Sequence, residues 1–336
     1  MRLLVIAALL LIAPALVAAE PSLPQQIHEQ IKSEGNATLE RGVIETDEPI
    51  VLRQLGGVTI AGQGRHRFWP LATGGWNSPK RAHGTAIVYT GPPTEPAVLI
   101  ESCSAIVLRD LGVFCTQGGP GIAFRTWHQG WGSNHHTLQR VHVCTRGVGV
   151  DIGGGDSPTN SADLEFRNVT FRNCDIAFRF NDPQNVGYLI DGGYAYRCKT
   201  LFHIKAGGNI RSRGFDCNEG VETVARIDLM GPNISPLLTI EGMRIDRSGT
   251  NVRPRLIDAR RAGSYGRVKL DSVCVIRKSS DRGQEPLPAI LWPTSGALSV
   301  TAINNSLNGV VAFDERVRDF DRAKLITGVE TVGGEP

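Results

Sequence analysis

One phrase recurs along this chain, and its period limits the folds open to it. It reads AIVLRDLGVFC at 105–115, HTLQRVHVC at 136–144, ADLEFRNVTFRNC at 162–174 and VGYLIDGGYAYRC at 186–198. It continues as GNIRSRGFDC at 208–217, LLTIEGMRID at 237–246, RVKLDSVCVI at 267–276 and ALSVTAINNS at 297–306. Aligned on Leu108, Leu138, Phe166, Ile190, Ile210, Ile240, Leu270 and Val300, the steps are 30, 28, 24, 20, 30, 30 and 30 residues. Each beat alternates apolar and polar residues with the period of two that belongs to strands. Propeller blades need longer periods, and leucine-rich repeats need their own Leu/Asn pattern. A β-sandwich gives short strands without a repeated phrase. What fits is a solenoid of β-coils.

A second strand, usually led by glycine, sits in each coil: AVLIES (97–102), GIAFRT (121–126), GVGVDIG (147–153), DIAFRF (175–180), LFHIKA (201–206), ARIDL (225–229), LIDAR (256–260) and AILW (289–292). Stacked coils of this kind pair each strand in parallel with its counterparts. GGVTIAGQG (56–64), GTAIVYTG (84–91) and the coils after them resemble the right-handed parallel β-helix proteins of the pectate-lyase-like superfamily. The resemblance implies an all-β chain: a single-stranded right-handed parallel β-helix over residues 41–310. It is specific for fold, since the superfamily holds lyases, hydrolases, epimerases, tailspikes and non-catalytic surface proteins.

The ends have a different character. Arg2, the apolar run Leu3–Ile12, Pro14 and the small residues Val17-Ala18-Ala19 before Glu20 read as a signal peptide over 1–19. Cleavage near Ala19 predicts a secreted, periplasmic or cell-surface protein. No second apolar run reaches spanning length. LPQQIHEQIKSEG (23–35) places Leu23, Ile27 and Ile31 on one helical face with Gly35 as a stop, so 20–40 is expected to cap the first coil. The charged segment 311–336 is expected to cap or trail from the other end. The formal charge of +3 gives no general case for nucleic acid or an anionic membrane. Nothing in the sequence states the oligomer.

All seven cysteines lie beyond the leader, and Cys115, Cys144, Cys174, Cys198 and Cys217 each end the recurrent phrase. They are expected to stack as one column at the ~4.8 Å strand spacing. That spacing permits a disulfide and equally suits a buried ladder of thiols; the odd count favours the ladder.

With Ile122 and Phe124 facing inward, alternation predicts an outward column of Glu101, Arg125, Asp151, Arg179, Lys205, Asp228 and Arg260. A second column, two residues earlier, is Leu99, Ala123, Gly149, Ala177, His203, Arg226 and Asp258. A one-residue slip in 201–206 or 225–229 would turn those strands over. The resemblance implies that sugar binds on this sheet, and its mixed charges suit an acidic polysaccharide, because guanidinium groups grip carboxylates in bidentate fashion. Crowding by arginines disfavours an ammonium, so Lys205 is the expected base of a β-elimination, with Arg179, Arg226 and His203 beside it. The alternative is a ladder of salt bridges on a solvated sheet.

Loops after these strands supply a cleft wall. TWHQGWGSNHH (126–136) brings Trp127, Trp131 and His135 near Arg125, with indole faces that stack on sugars. The insertion 62–84, with Trp69 and Trp76, is longer than a plain turn. His135-His136 has no third ligand at a useful spacing, so neither a metal nor a cofactor is expected.

Several motifs of related enzymes are missing. The Asn-Thr-Asp, Asp-Asp, Gly-His-Gly and Arg-Ile-Lys of polygalacturonases are absent, as is the Asp-Pro-His-Asp of alginate epimerases. Asp151 and Asp228, three coils apart, would be separated by about 14 Å, too far to share an ion or a glycosidic bond. Binding of an acidic, uronate-containing polysaccharide is therefore the leading expectation; if the protein is an enzyme, a metal-free lyase is the chemistry least contradicted, ahead of a glycoside hydrolase. A non-catalytic surface or adhesion β-helix is the alternative.

Overall fold

The computed structural model describes residues 21–64, 84–126, 132–153, 161–182, 186–228, 237–247, 250–261, 266–295, 298–314 and 316–317. Residues 1–19, the Trp69 and Trp76 insertion, Trp127, Trp131 and nearly all of the C-terminal segment lie outside these. The described chain is a parallel β-helix. Every strand pairing in it is parallel, and the strands fall into one sheet of eighteen, one of nine and one small pair.

The recurrent phrase makes the larger sheet, which bends in the middle. Leu108 pairs with Leu138, Leu138 with Phe166, and Phe166 with Ile190, as the periodicity predicts. Two residues on, the chain turns a corner at Asp110, Arg140, Asn168, Gly192, Gly214, Gly242, Ser272 and Asn304, all left-handed with φ between 52° and 65°. The corner residue gives its amide to the next coil, as in Asp110 N–H to Gln139 O at 3.1 Å and Gly242 N–H to Asp271 O at 2.9 Å. Such φ values favour Gly, Asn and Asp, which explains their recurrence within the phrase. Along this column Arg140 also forks onto Asp110, at 2.6 and 2.7 Å.

The corner corrects two beats of the alignment. Ile190 pairs with Ser212 and Leu270 with Ala302, in place of Ile210 and Val300. The steps become 30, 28, 24, 22, 28, 30 and 32. Apolar matching overlooked Ser212 because it is a hydroxyl at a fully buried position.

Gly193, just past the corner, has φ 120°, and a Cβ there would lie 2.4 Å from the Val169 carbonyl oxygen and 2.8 Å from the Phe215 ring. Gly193→Ala is expected to cost about 2–4 kcal/mol of stability. A urea midpoint equal to the parent's would contradict that.

The nine-strand sheet carries the candidate site. Its strands are β1 (Ile50–Arg53), β2 (Val98–Glu101), β3 (Ile122–Arg125), β4 (Val148–Gly153), β5 (Ile176–Asn181), β6 (Thr200–Ala206), β7 (Thr223–Ile227), β8 (Arg255–Asp258) and β9 (Ile290–Leu291). They stack in chain order. Beneath β5, Phe178 meets Phe171, Phe166 and Phe202 at ring-centroid distances of 4.5, 5.0 and 5.8 Å. This packed floor fixes which way the outer residues point.

The first coil is capped by the helix α1 (Leu23–Glu34), with Leu23, Ile27 and Ile31 buried. Left-handed Gly35 (φ 74°) ends it, donating its amide to Ile31 O.

The cysteines do not form one column. Cys115 pairs with Tyr89 and Thr145, while Cys144 faces outward beside Phe114 and Arg172. Cys217 sits mid-strand between Ala195 and Ile245. Only Cys174 and Cys198, which follow left-handed Asn173 and Arg197, occupy equivalent places on adjacent coils. The cysteines stand 7, 6, 8, 8 and 5 residues beyond the stacked positions Leu108, Leu138, Phe166, Ile190 and Ser212, so only Cys174 and Cys198 share a place in the coil. All seven are free thiols. Burial raises Cys115 to about 12 and Cys144 to about 11, which leaves them unreactive.

Candidate active site on the nine-strand sheet

The inward residues Ile122, Phe124, Val150, Ile152, Phe178, Phe180, Phe202, Ile204 and Ile227 are fully buried. Alternation therefore puts Glu101, Arg125, Asp151, Arg179, His203, Lys205, Arg226 and Asp258 on the outer face, as expected. Their order along that face differs from the expectation. Ala123, Asp151, Arg179, His203, Arg226 and Asp258 form one row. Arg53, Glu101 and Arg125 belong to the row beside it.

Asp151 and Arg179 are thus level with His203, and Arg125 and Lys205 are not in their row. GVGVDIG offers two glycines ahead of Asp151, and Gly121 aligns with Gly149, whereas the sequence suggested Gly147. A shift of two keeps every side chain on its face, so the slip changed neighbours without burying any charge.

Two buried carboxylates organise the strip. Asp151 is 1% exposed and accepts from Arg179 Nε and Nη2, both at 2.6 Å. Arg125 reaches the same carboxylate from the previous coil and also bonds the Asp151 carbonyl oxygen at 2.9 Å. The Asp151 hydrogen bonds raise the Arg179 guanidinium above its ordinary range against the effect of burial. Asp228, 4% exposed, lies 2.7 Å from His203 Nε2, 3.0 Å from Arg226 Nε and 3.4 Å from Arg261. Further along, Arg260 forks onto Asp258 at 2.9 and 2.7 Å, and Arg53 meets Glu101 at 2.6 Å.

Lys205 differs from these. The pairing of β5 with β6 passes from Phe180–Ile204 to Asn181–Ala206, so Lys205 is the extra residue of a bulge. Bulges re-aim a side chain, and they recur beside active sites. Among the described residues no carboxylate lies within ion-pair distance of its ammonium.

The site's titration limits its chemistry. Burial alone would raise Asp228, but His203 and Arg226 outweigh it and hold the carboxyl below the usual range. Asp258 behaves the same way, with Arg260 and the charge of Arg226 prevailing over burial. These two carboxylates stand on neighbouring coils, and both are driven toward the ionised form. His203 is pushed below its ordinary range, chiefly by burial, with Asp228 opposing and Arg226 and Lys205 adding to the effect.

Two contributors escaped sequence reading. Arg53 sits on a strand with no leading glycine, and Arg261 follows a residue already assigned to the strip. The register of β1 against β2, in which Arg53 opposes Glu101, was the available signal. His135 lies elsewhere. It stands on the larger sheet, 3.4 Å from Asp163, and lines a cavity of about 290 Å³ with Thr137, Glu165, Gly187 and Leu189. Its neighbour His136 points the opposite way and is 1% exposed, so the pair shares no ligand. Among the described residues no group of three or more His, Cys, Asp or Glu is placed to hold a metal ion. Nor is any described helix long and apolar enough to cross a membrane.

No family model matches the chain, and no curated protein matches it. Solved structures do. An alginate lyase from Paenibacillus sp. str. FPU-7 aligns with TM-score 0.56 at 12% identity, over 87% of this chain and 96% of that one. The catalytic domain of a GH87 α-1,3-glucanase in complex with nigerose aligns with TM-score 0.44 at 13% identity, over 90% and 67%. What this chain shares with the lyase at that identity is the parallel β-helix itself, on which its own strip of paired charges is built.

Proposed function

We propose that this protein binds an acidic, uronate-containing polysaccharide along the outer face of the nine-strand sheet and cleaves it by β-elimination. The charge of that face carries the reading. Arg53, Arg125, Arg179, Lys205, Arg226, Arg260 and Arg261 stand against Glu101, Asp151, Asp228 and Asp258. The excess is positive, and it gathers around Lys205, Arg226, Arg260 and Arg261, of which Arg226, Arg260 and Arg261 are 55, 67 and 58% exposed. Guanidinium groups of that kind neutralise a uronate carboxylate, which acidifies the hydrogen on the adjacent carbon. Elimination then needs a base and a proton donor nearby, and no metal.

Export under a leader at 1–19 accords with this reading, since a polymer substrate is met outside the cell. A second reading, a non-catalytic surface or adhesion protein, draws on the paired state of Glu101, Asp151, Asp228 and Asp258, which a purely structural charge ladder would also show.

Alginate and polygalacturonate are the first polymers to test, the former because the structural neighbour described above is named as an alginate lyase. The expected result is unsaturated, ultraviolet-absorbing product from one of them, reduced by about 100-fold or more in Lys205→Ala. Binding without product would favour the adhesion reading. Neither binding nor product across uronate polymers would end the lyase reading.

A further inference from the structure

The least explained atom on the strip is Nδ1 of His203. It is buried and has no hydrogen-bond partner, and the residue is 8% exposed. Buried polar atoms in folded proteins are paired as a rule, so an unpaired one implies a partner that arrives later or a chemical task. The other ring nitrogen settles the tautomer. Nε2 lies 2.7 Å from Asp228 Oδ2, and an ionised carboxylate only accepts. Nε2 therefore carries the proton and Nδ1 the lone pair. Because burial holds the imidazole below its ordinary range, the ring is a neutral, oriented proton acceptor near pH 7.

Its surroundings fit that task. Strand register sets His203 between Arg179 and Arg226 in one row, and the bulge presents Lys205 next along the same face. A uronate carboxylate gripped by Arg226 brings the hydrogen on its neighbouring carbon over the middle of the row. A lysine in its ordinary state is an ammonium, a proton donor with no lone pair to offer.

We infer that His203 is the proton acceptor of the elimination and Lys205 the proton donor, with Asp228 as the positioning residue. This assignment rests on the proposed reading of the strip as a uronate-polymer lyase, and it reverses the role that sequence suggested for Lys205. In the step, Nδ1 takes the C5 hydrogen as a proton. The C–H electron pair becomes the C4–C5 double bond, and the bond from C4 to the glycosidic oxygen breaks with its pair on oxygen. Lys205 protonates that oxygen. His203 ends as imidazolium and Lys205 as amine, and solvent returns the proton from the first to the second before the next turnover.

Two measurements separate this assignment from the reading beneath it. Nitrogen NMR of the His203 ring reports the tautomer without any substrate, and a bare Nδ1 with a protonated Nε2 is expected near pH 7. A proton on Nδ1 would overturn the assignment even if the protein cleaves polymer. On sodium alginate or polygalacturonate, whichever gives product, kcat/KM is expected to fall with a single proton on the acid side, below pH 6.5. His203→Gln, whose amide still reaches Asp228 but offers no lone pair at the Nδ1 position, should lose about 100-fold in kcat with little change in KM. A His203→Gln enzyme with near-parental kcat would also overturn the assignment. A bare Nδ1 with no product from either polymer would instead remove the lyase reading, and the assignment with it.

Discussion

Replacing Arg247 with methionine is expected to lower stability by about 3–5 kcal/mol, the largest effect of any single change outside the strip. Arg247 and Asp281 form an ion pair in which the side chains are 2% and 4% exposed. Arg247 also donates to Val252 O at 2.6 Å, and the Lys278 amide donates to Asp281 Oδ2 at 2.8 Å. The pair thus clasps the connection leading into β8 to the one leading into β9, the last strands of the site sheet. Burial would raise the Asp281 carboxyl, but Arg247 and the Lys278 amide hold it below the usual range. With Arg247 gone the buried carboxylate loses its ion-pair partner and keeps the Lys278 amide, which accounts for the size of the loss. Arg247→Met combined with Asp281→Leu should recover most of it, because removing both charges removes the desolvation penalty as well. Chemical denaturation of the two variants decides the matter, and a single variant within about 1 kcal/mol of the parent would show that the clasp is inert.

The second large effect is a loss of stability in mild acid. His136 Nδ1 accepts the Ile106 amide at 3.1 Å, Nε2 lies 2.9 Å from Ser133 Oγ, and the ring stacks on Phe124 at 5.3 Å. Burial, with the nearby His135, lowers its pKa from 6.5 to about 3. Because the folded value is depressed, the unfolded chain takes up a proton below pH 6.5 that the folded chain refuses until about pH 3. Stability is therefore complete above pH 6.5 and declines as pH falls, by about 1.4 kcal/mol per unit. Between pH 6.5 and 4.5 the expected loss from this residue is about 3 kcal/mol. His203 is shifted in the same direction and adds to it. Below that window the depressed carboxyls of Asp228, Asp258 and Asp281 begin to protonate and deepen the fall. Urea midpoints measured across this range test the claim, and a flat profile from pH 6.5 to 4.5 would refute it.

Much of the fold was legible because a β-coil imposes a repeat on the chain. Leu108, Leu138, Phe166 and Ile190 were aligned correctly from spacing alone, since each is an apolar residue pointing into the same narrow core. The alignment failed where that logic has an exception: Ser212 is buried but polar, and apolar matching passed over it to Ile210. The corner residue Gly214, two positions later, was the better anchor, because a left-handed φ constrains residue type more tightly than burial does. The cysteines failed for a related reason. Each ends the phrase, but at a distance of five to eight residues from its stacked anchor, and a difference of one residue turns a strand side chain to the other face.

The amino-acid sequence by itself determined the architecture, the capping helix and the face on which the charged residues lie. Strand alternation has a period of two, and a register error of two residues leaves faces unchanged. Only the tertiary structure decided the neighbours across coils: that Asp151 lies beneath two guanidinium groups, that His203 leans on Asp228, and that a bulge lifts Lys205 free of any carboxylate among the described residues. Those contacts depend on loop lengths and on one inserted residue, whose consequences appear only when successive coils are stacked at strand spacing. The chemistry of this face rests on those contacts.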